Sequence, residues 1–339
     1  MTKSTDAKRD EARRTSLLAW YDEHARPLLW RRRPNPYRIW VAEVMLQQTR
    51  IAVVEPAYKR FLEAFPTMAA LARATEEEVL SLWSGLGYYS RARSLHRAAQ
   101  RLNESGEKQF PKTWDEAMSL PGVGAYTAAA VLSIAYGAPH AAVDGNVIRV
   151  LSRLECLKRP DGRGEPHTTL ADRLLARERA GDWNQAVMEL GETLCSPRAP
   201  RCSQCPLQTM CEAHLRRVVE KHPPPKPRRA TQRLGLSVTI LKDRHGRLLL
   251  ERGAFEHLDH LWLPPVRLLR APPDRADFKH AILHRSFEVT VESRTVSAAE
   301  LRRLVGKPSK KAAERRVVEP GELAGLGRSS LLTKSLRHA

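Results

Sequence analysis

Four of the five cysteines lie in one short stretch, "CSPRAPRCSQCPLQTMC", with six, two and five residues between successive thiols. Thiols so close together could form disulfides, bind zinc or hold an iron–sulfur cluster. Zinc sites usually pair two CxxC motifs or combine Cys with His, and only one CxxC is present. Unequal spacings within one loop suit the four corners of a cluster, so iron–sulfur is favoured and zinc is the alternative. The ligands would be Cys195, Cys202, Cys205 and Cys211.

Glu43 is the only charged side chain in the apolar run "IWVAEVML" (39–46). A carboxyl group on an apolar helix should have a raised pKa, which suits a general acid. The alternative is a structural role, in which a buried Glu43 pairs with an arginine of "RPLLWRRRP" (26–34).

Asp144, in "HAAVDGNVIRVLSRL" (140–154), directly precedes an amphipathic helical pattern. An aspartate in that place is typical of a helix N-cap, and the helix dipole should hold it ionised. Capping and a chemical role are compatible. A proton-donating glutamate and a fixed anionic aspartate form the pair that cleavage of a glycosidic bond requires.

A Gly-x-Gly turn precedes an alanine-rich helical pattern in "LPGVGAYTAAAVLSIAYG" (120–137). Glycines allow close backbone approach, and the amides of a helix N-terminus suit a phosphate oxygen. Gly122, Val123 and Gly124 are therefore expected to contact a nucleic-acid backbone, which positions a protein without reading sequence. The alternative is a tight turn between two helices that binds nothing.

The charge balance points to a polyanionic partner, because 57 Lys and Arg face 38 Asp and Glu and give a net charge of +19. A genome that favours arginine codons is the alternative explanation. No apolar run is long enough to cross a membrane. The N-terminus, "MTKSTDAKRDEARRT", lacks the apolar core of a secretory signal, which predicts the reducing cytoplasm as the compartment. The protein is also expected to be a monomer and to associate with the nucleoid. Disulfides are disfavoured there, and the isolated Cys156 is interpreted as a buried small apolar residue.

The chain divides by composition into two parts, as a length of 339 residues allows. Apolar spacings of three and four predict helices from 16 to about 222. The run "KHPPPKPRRATQR" then predicts a linker over 223–233. Beyond it, "LGLSVTILKDRHGRLLLER" predicts a hairpin and "HAILHRSFEVTVESRT" another strand pair, so the part over 234–335 is expected to be α+β.

These motifs together resemble the helix–hairpin–helix DNA glycosylases that carry a [4Fe–4S] cluster. "WVAEVMLQQTR", "GLGYYSRARSL" and "AVDGNVIRVLSRL" narrow the resemblance to the adenine DNA glycosylase branch, the MutY type. It implies a mainly α, two-lobed glycosylase domain over 1–222. One lobe has six helices (about 34–139), and the cluster lobe joins the N-terminal helix to about 140–222. The segment "LLLERGAFEHLDHLWLPP" is similar to that family's smaller Nudix-like domain (234–335).

The implied reaction is hydrolysis of the N-glycosidic bond of adenine mispaired with 8-oxoguanine or guanine in duplex DNA, leaving an abasic site. The adenosine must first leave the base stack. By resemblance, Glu43 protonates adenine at N7 and later helps to activate water, and Asp144 stabilises the oxocarbenium-like sugar. Tyr126 lies beside the sugar, and Asn146 orients Asp144 or the sugar.

The resemblance also implies an adenine pocket and a wedge that enters the base stack. The pocket residues are Arg26, Trp30, Arg31 and Glu189. The wedge residues are Gln48, Leu86 and Tyr88. Core packing is the alternative for Trp30 and Leu86, and plain phosphate contacts are the alternative for Arg26 and Arg31.

Two departures qualify the resemblance. Tyr126 stands where strand-cleaving relatives carry a Schiff-base lysine, which predicts a monofunctional enzyme. In the expected lesion loop, "FKHAILHRSF", Ile282 and Leu283 replace the family's Phe and Ser, which leaves His284, and Ser286 if the alignment slips, as lesion contacts. The absence of a Glu-rich Nudix box argues against nucleotide hydrolysis. The rival interpretations are an endonuclease III-like glycosylase/lyase for oxidised pyrimidines and a non-catalytic iron–sulfur or zinc DNA-binding protein.

Overall fold

The computed structural model describes residues 3–32, 34–158, 165–225, 230–256, 258–306, 314–327 and 329–339. The chain groups into two compact units. The first, which we call the helical unit, comprises Met1–Ala72 and Arg97–Lys226. The second, which we call the mixed unit, comprises Arg73–His96 and Pro227–Ala339.

Helices dominate the described residues up to about 222. The α-helices are α1 (Lys3–His24), α2 (Leu29–Arg32), α3 (Pro36–Leu46), α4 (Ile51–Ala64), α5 (Met68–Arg73), α6 (Glu76–Leu82), α7 (Tyr89–Glu104), α8 (Trp114–Met118), α9 (Ala125–Tyr136), α10 (Gly145–Leu154), α11 (Glu165–Leu174), α12 (Ala180–Thr193), α13 (Glu212–Leu215), α14 (Ala298–Val305) and α15 (Ser330–Arg337). Among them, none combines the length and the apolar character that a membrane crossing requires.

Helix α3 runs through the middle of the helical unit. Asn35 caps it by accepting hydrogen bonds from the amides of Tyr37 (3.0 Å) and Arg38 (3.3 Å), and Pro36 occupies the first turn, where its missing N–H has no cost. Most of its side chains are buried, and it packs against α9. The alanines of α9 allow that close approach, which brings the middle of α3 near the start of α9.

Helix α12 packs against α1, α9 and α10 and closes the second lobe of the helical unit. Gly191 makes the approach to α10 possible, because a Cβ at this position would lie 2.8 Å from the Cβ of Asn146. Gly181 similarly faces the backbone of Ser133, whose oxygen would lie 2.7 Å from an added Cβ. The two glycines thus set the distance between α12 and its neighbours.

The mixed unit contains a six-stranded sheet in the order β4-β5-β1-β2-β6, with β3 also paired to β1. Its strands are β1 (Gln232–Lys242), β2 (Leu248–Arg252), β3 (Val266–Leu268), β4 (Phe278–Ile282), β5 (Arg285–Thr295) and β6 (Glu314–Val318). β1 and β5 are parallel, and the other pairs are antiparallel. Alternate residues of β1, Leu236, Val238 and Ile240, face the core, as a strand with one buried face requires.

The predicted fold class, a mainly helical part followed by a smaller α+β part, is confirmed. The two predicted strand pairs are also present, as β1–β2 and β4–β5. β1 begins at Gln232, so the last two residues of the predicted linker (223–233) belong to a strand. Residues 226–229 of that linker lie outside the described residues.

The contacts place Arg73–His96 in the mixed unit, whereas the predicted six-helix lobe (34–139) includes this segment. Hydrophobic spacing along the chain cannot reveal such a grouping, because it depends on contacts with residues far away in sequence. The predicted domain limits remain predictions.

Candidate active site

One cavity of the helical unit, about 890 Å³ in volume, gathers most of the predicted catalytic and pocket residues. The predicted residues that line it are Trp30, Arg31, Glu43, Gln48, Gly122, Gly124, Tyr126, Asp144, Asn146 and Glu189. The lining also includes Gln47, Arg149, Gln185 and Met188, which the sequence did not single out. Residues widely separated along the chain thus meet around one space large enough for a nucleoside.

Glu43 is buried at 5% exposure in the wall formed by α3. The hydroxyl group of Tyr126, on α9, donates a hydrogen bond of 2.6 Å to its Oε2 and lies 3.3 Å from the Sδ of Met188. Burial raises the pKa of Glu43 to about 7, and the charge of Asp144 adds to the rise. The hydrogen bond from Tyr126 and the charge of Arg31 act in the opposite direction. Glu43 can therefore carry a proton near neutral pH.

Asp144 is the N-cap of α10, as predicted, and accepts a hydrogen bond of 2.7 Å from the amide of Val147. The side-chain amide of Asn146 donates a second bond of 3.1 Å to Asp144 Oδ2. Burial raises the pKa of Asp144 above its ordinary value, while these bonds and the charge of Arg149 act to lower it. The expectation that the helix dipole holds Asp144 ionised did not include desolvation, which is the largest influence on its pKa.

Glu189 lines the same cavity and is paired with two arginines, Arg26 and Arg31. It is 2% exposed, and Arg26 binds both of its carboxylate oxygens, through Nε and, at 3.0 Å, through Nη2. Arg31 Nη2 donates to Glu189 Oε2 at 2.9 Å, and Arg31 Nε donates to Gln185 at 3.1 Å. Burial acts to raise the pKa of Glu189, but the two guanidinium groups lower it below the ordinary value. Glu189 is thus a fixed anion.

Arg149 connects the catalytic aspartate region to the cysteine segment, and the sequence analysis missed it. Its Nη2 donates to the Oδ1 of Asn146 at 2.8 Å and to the carbonyl oxygen of Gly191 at 2.6 Å, and its Nε donates to the carbonyl oxygen of Cys195 at 2.8 Å. A basic residue one helical turn after Asn146 was the signal available in the sequence.

The four predicted cysteine ligands line one small cavity, about 30 Å³ in volume. All five cysteines, including Cys156, are free of disulfides, and Cys156 is only partly buried rather than fully buried as predicted. Among the described residues, no three Cys, His, Asp or Glu side chains are grouped tightly enough to hold a single metal ion. Four thiols that line a shared space are a set of donors that an iron–sulfur cluster or a zinc ion could use.

Arg153 supports an anionic group at this place. It is buried at 2% exposure, and its guanidinium donates to the Sγ of Cys195 at 3.2 Å and to the carbonyl oxygens of Ser196 (2.8 Å) and His222 (2.9 Å). In the described part of the chain no carboxylate lies within ion-pair distance of it. The charge of Arg153 acts to lower the pKa of the Cys202 thiol, although burial raises that pKa overall.

The Gly-x-Gly turn has the form that an anion site needs. Gly122 adopts a φ of +75° and Val123 is buried beneath the turn. Gly124 is the N-cap of α9 and provides no side-chain acceptor for the first amides of the helix. Gln48 lies in the turn after α3 with a φ of +57° and an exposed side chain.

The remaining predicted residues belong to the mixed unit. Leu86 is buried, whereas Tyr88 is 45% exposed and has a φ of +48°. His284 is exposed in the β4–β5 turn beside Leu283, which is 72% exposed with a φ of +55°, and Ser286 is half-buried in β5. Leu86, Tyr88 and Leu283 line a cavity of about 810 Å³ in this unit, but His284 and Ser286 do not.

Comparison with known proteins gives the family context of this geometry. Residues 41–172 match the family described as "HhH-GPD superfamily base excision DNA repair protein". The adenine DNA glycosylase of Rattus norvegicus is 46% identical over 215 residues, which are 60% of this chain and 42% of the relative. That of Homo sapiens is 44% identical over 220 residues, 60% of this chain and 39% of the relative.

Solved structures show the same helical fold. A thermostable thymine-DNA glycosylase matches with a TM-score of 0.57 at 26% identity. The match covers 62% of this chain and 98% of the glycosylase chain. A non-covalent endonuclease III–DNA complex has a TM-score of 0.54 at 27% identity, with coverage of 64% and 98%. The chain spans less than half of the length of the two mammalian relatives.

Proposed function

We propose that this protein is a monofunctional adenine DNA glycosylase. The premise is that residues 41–172 belong to the HhH-GPD superfamily of base excision DNA repair proteins. The protein would hydrolyse the N-glycosidic bond of adenine mispaired with 8-oxoguanine or guanine and leave an abasic site. The relatives of highest identity reported above carry the name adenine DNA glycosylase. The proposal also places the protein at the nucleoid, where its substrate lies.

The observation that carries the proposal is the joint position of Glu43, Tyr126 and Asp144 in one cavity, with the pKa of Glu43 at about 7. An acid with that pKa is partly protonated at neutral pH and can still give up its proton. Asp144 lies close enough for its charge to raise the pKa of Glu43. One extruded nucleoside can therefore meet a proton donor and an anion together.

The chemical step follows from these roles. Glu43 gives its proton to N7 of the extruded adenine, and the C1′–N9 bond breaks with its electron pair passing to the base. The Asp144 carboxylate stabilises the positive charge that develops on the sugar. Glu43 is ionised once it has given up its proton. Water then attacks C1′, and the proton that the water loses passes to the Glu43 carboxylate. Tyr126, whose own pKa is raised well above its ordinary value by burial, stays a neutral donor and fixes the Glu43 carboxyl group.

The wall around Glu189 would recognise the base. A carboxylate held ionised by Arg26 and Arg31 can accept hydrogen bonds from amino and protonated ring nitrogens. Arg31 and Trp30 lie in the same lining and supply a donor and an apolar face. A carboxylate acceptor in the pocket supports selection of adenine over thymine-type bases, which lack the exocyclic amino group.

The cysteine cavity would hold a [4Fe–4S] cluster through Cys195, Cys202, Cys205 and Cys211. When bound, the cluster would supply a structural and electrostatic centre for the loop, and no step of base removal requires it. Arg153 donates to the Sγ of one ligand and would balance the negative charge. Zinc is the alternative occupant, and a colourless preparation that contains zinc would favour it.

The test is incubation of the purified protein with duplexes that carry A:8-oxoG, A:G, T:G or thymine glycol, followed by alkali to cleave abasic sites. We expect strand cleavage after alkali for the A-containing mispairs only, and its loss in Glu43→Gln. Glu63→Gln, at an exposed site of α4, is the matched control. Release of thymine glycol with efficient borohydride trapping would support the endonuclease III-like alternative, and binding without release of any base would support the non-catalytic one.

A further inference from the structure

The loop before α7 has an unusual backbone. Gly85 and Gly87 adopt φ values of +94° and +67°, and Tyr88 adopts +48°. A residue with a Cβ rarely occupies this left-handed region unless its surroundings enforce it. Something in the mixed unit must therefore hold Tyr88 in place.

Arg91, one turn into α7, makes the contacts that hold the loop. Its Nη2 donates to the carbonyl oxygens of Leu86 at 3.2 Å and Gly87 at 3.1 Å. The indole of Trp83 donates to the same Gly87 oxygen at 3.1 Å. A guanidinium nitrogen that donates to two successive carbonyls restrains the peptide plane between them.

The guanidinium of Arg91 also lies between two aromatic rings. Its Cζ is 5.5 Å from the ring centroid of Trp83 and 5.5 Å from that of Tyr88, within the range of cation–π attraction. Trp83 is fully buried, whereas Tyr88 is 45% exposed. The arginine thus connects a fixed ring in the core to an exposed ring at the surface.

Burial lowers the pKa of Arg91 to about 10, so the side chain is still charged at neutral pH. Its charge and its donors are directed at the loop backbone and the two rings. Arg93, two residues further along α7, instead pairs with Glu76 at 3.3 Å. The two arginines therefore offer a comparison between a loop-holding residue and a plain ion pair on one helix.

We propose that Arg91 is the positioning residue of the wedge: it holds the 84–88 loop and the Tyr88 ring in their final arrangement before DNA binds. This inference rests on the proposed function, in which Tyr88 enters the base stack beside the mispair. A loop that is already ordered avoids the entropic cost of ordering during base extrusion. Arg91 itself needs no contact with the DNA for this role.

The first test measures amide hydrogen exchange in the 84–88 loop in the absence of DNA. The Leu86 amide donates to the Trp83 carbonyl at 3.1 Å, so its hydrogen exchange reports opening of the loop. In Arg91→Met, which keeps the length of the side chain but removes its charge and donors, we expect exchange at least tenfold faster than in the wild type. Arg93→Met should leave it unchanged, and Arg91→Lys should lie between the two.

The second test is a double-mutant cycle on adenine release. We expect Arg91→Met to lower kcat/KM about tenfold, which corresponds to about 1.4 kcal/mol, and to have little effect in a Tyr88→Ala background. Such coupling shows that Arg91 acts through Tyr88, which general destabilisation would not produce. The thermal midpoint of each variant is recorded beside its activity.

Unchanged exchange in Arg91→Met would overturn the inference, and so would losses that simply add in the cycle. If the wild type releases no adenine from any duplex, the proposed function fails, and the exchange data alone decide whether Arg91 orders the loop. If the wild type is active and Arg91→Met is equally active, the inference fails and the proposed function stands.

Discussion

Two glutamates that line one cavity have nearly the same burial, but the pKa of one is raised and that of the other is lowered. Glu43, at 5% exposure, has a neutral tyrosine as its hydrogen-bond donor, and its pKa rises to about 7. Glu189, at 2% exposure, lies between Arg26 and Arg31, and its pKa falls below the ordinary value. Burial alone therefore does not set the charge of a carboxyl group, because the partners decide the direction.

The difference between the two pKa values gives the two glutamates different roles in the site. The catalytic wall around Glu43 gains a mobile proton at the cost of an unfavourable buried carboxyl group. The recognition wall around Glu189 gains a fixed charge that also contributes to stability. The two walls should therefore respond in opposite ways to the same substitution.

The largest expected effect is on chemistry. Glu43→Gln should lower the rate of adenine release in a single turnover by about 10³-fold, since an amide cannot deliver the proton. Glu189→Gln should act mainly on KM and lower kcat/KM about tenfold, because the base loses an ionic partner. Single-turnover kinetics with excess enzyme separate the two effects, and equal losses in the single-turnover rate would refute the division of roles.

The second effect is on stability and has opposite signs for the two walls. The folded-state pKa of Glu43 is about 7 against an ordinary value of 4.5, so the wild type loses stability as pH rises from about 4.5 to 7. At pH 8, Glu43→Gln should be more stable by up to about 3 kcal/mol. The depressed pKa of Glu189 contributes stability above its unfolded-state pKa, which is lost as pH falls through the folded value, so Glu189→Gln should be less stable at pH 8.

Urea unfolding of the holoprotein at pH 8 and at pH 4.5 checks these signs. The gain of Glu43→Gln should shrink to less than about 0.5 kcal/mol at pH 4.5, where the folded side chain is protonated and the unfolded one is only half ionised. A destabilised Glu43→Gln protein at pH 8 would show that Glu43 is ionised and paired, as the structural alternative requires.

The third effect is a shift in pH dependence. The rate of adenine release should fall about tenfold per pH unit above pH 7, as the Glu43 carboxyl group loses its proton. The hydrogen bond from Tyr126 lowers the pKa of Glu43, so Tyr126→Phe should move the descending limb to higher pH. A limb that stays in place, or moves to lower pH, would contradict the assignment of this limb to Glu43.

The smallest expected effect concerns Arg149, which contacts Asn146 beside Asp144. Arg149→Met removes the donors that join Asn146 to the carbonyls of Gly191 and Cys195, and should lower kcat about fivefold with KM unchanged. Arg14→Met, at a position on α1 where the arginine pairs with Glu11, serves as the control. A change in KM alone would place Arg149 with the recognition wall instead.

Local signals in the sequence indicated several features of the site. The isolation of Glu43 within an apolar run and the cap position of Asp144 could both be seen within a few residues of the chain. The four cysteines likewise meet because one short loop contains them all. The raised pKa of Asp144 was not foreseen, because desolvation depends on what other segments place above the carboxylate.

The features that the sequence did not predict depend on contacts between residues far apart in the chain. Nothing near Arg149 in sequence indicates that it reaches the backbone of Cys195, and nothing near Arg73–His96 indicates that it packs in the mixed unit. Glu189 was placed by resemblance, but its pairing with both Arg26 and Arg31 required the helix packing itself. The fold class was therefore more predictable than the electrostatics of the site.

The absence of a side chain at Gly191 allows α12 to approach α10 at the position of Asn146. With a methyl group there, α12 would have to retreat from α10, and both Asn146 and the nearby Glu189 would be displaced in one step. Alanine or serine at this position should thus disturb the catalytic site, although residue 191 contributes no side chain.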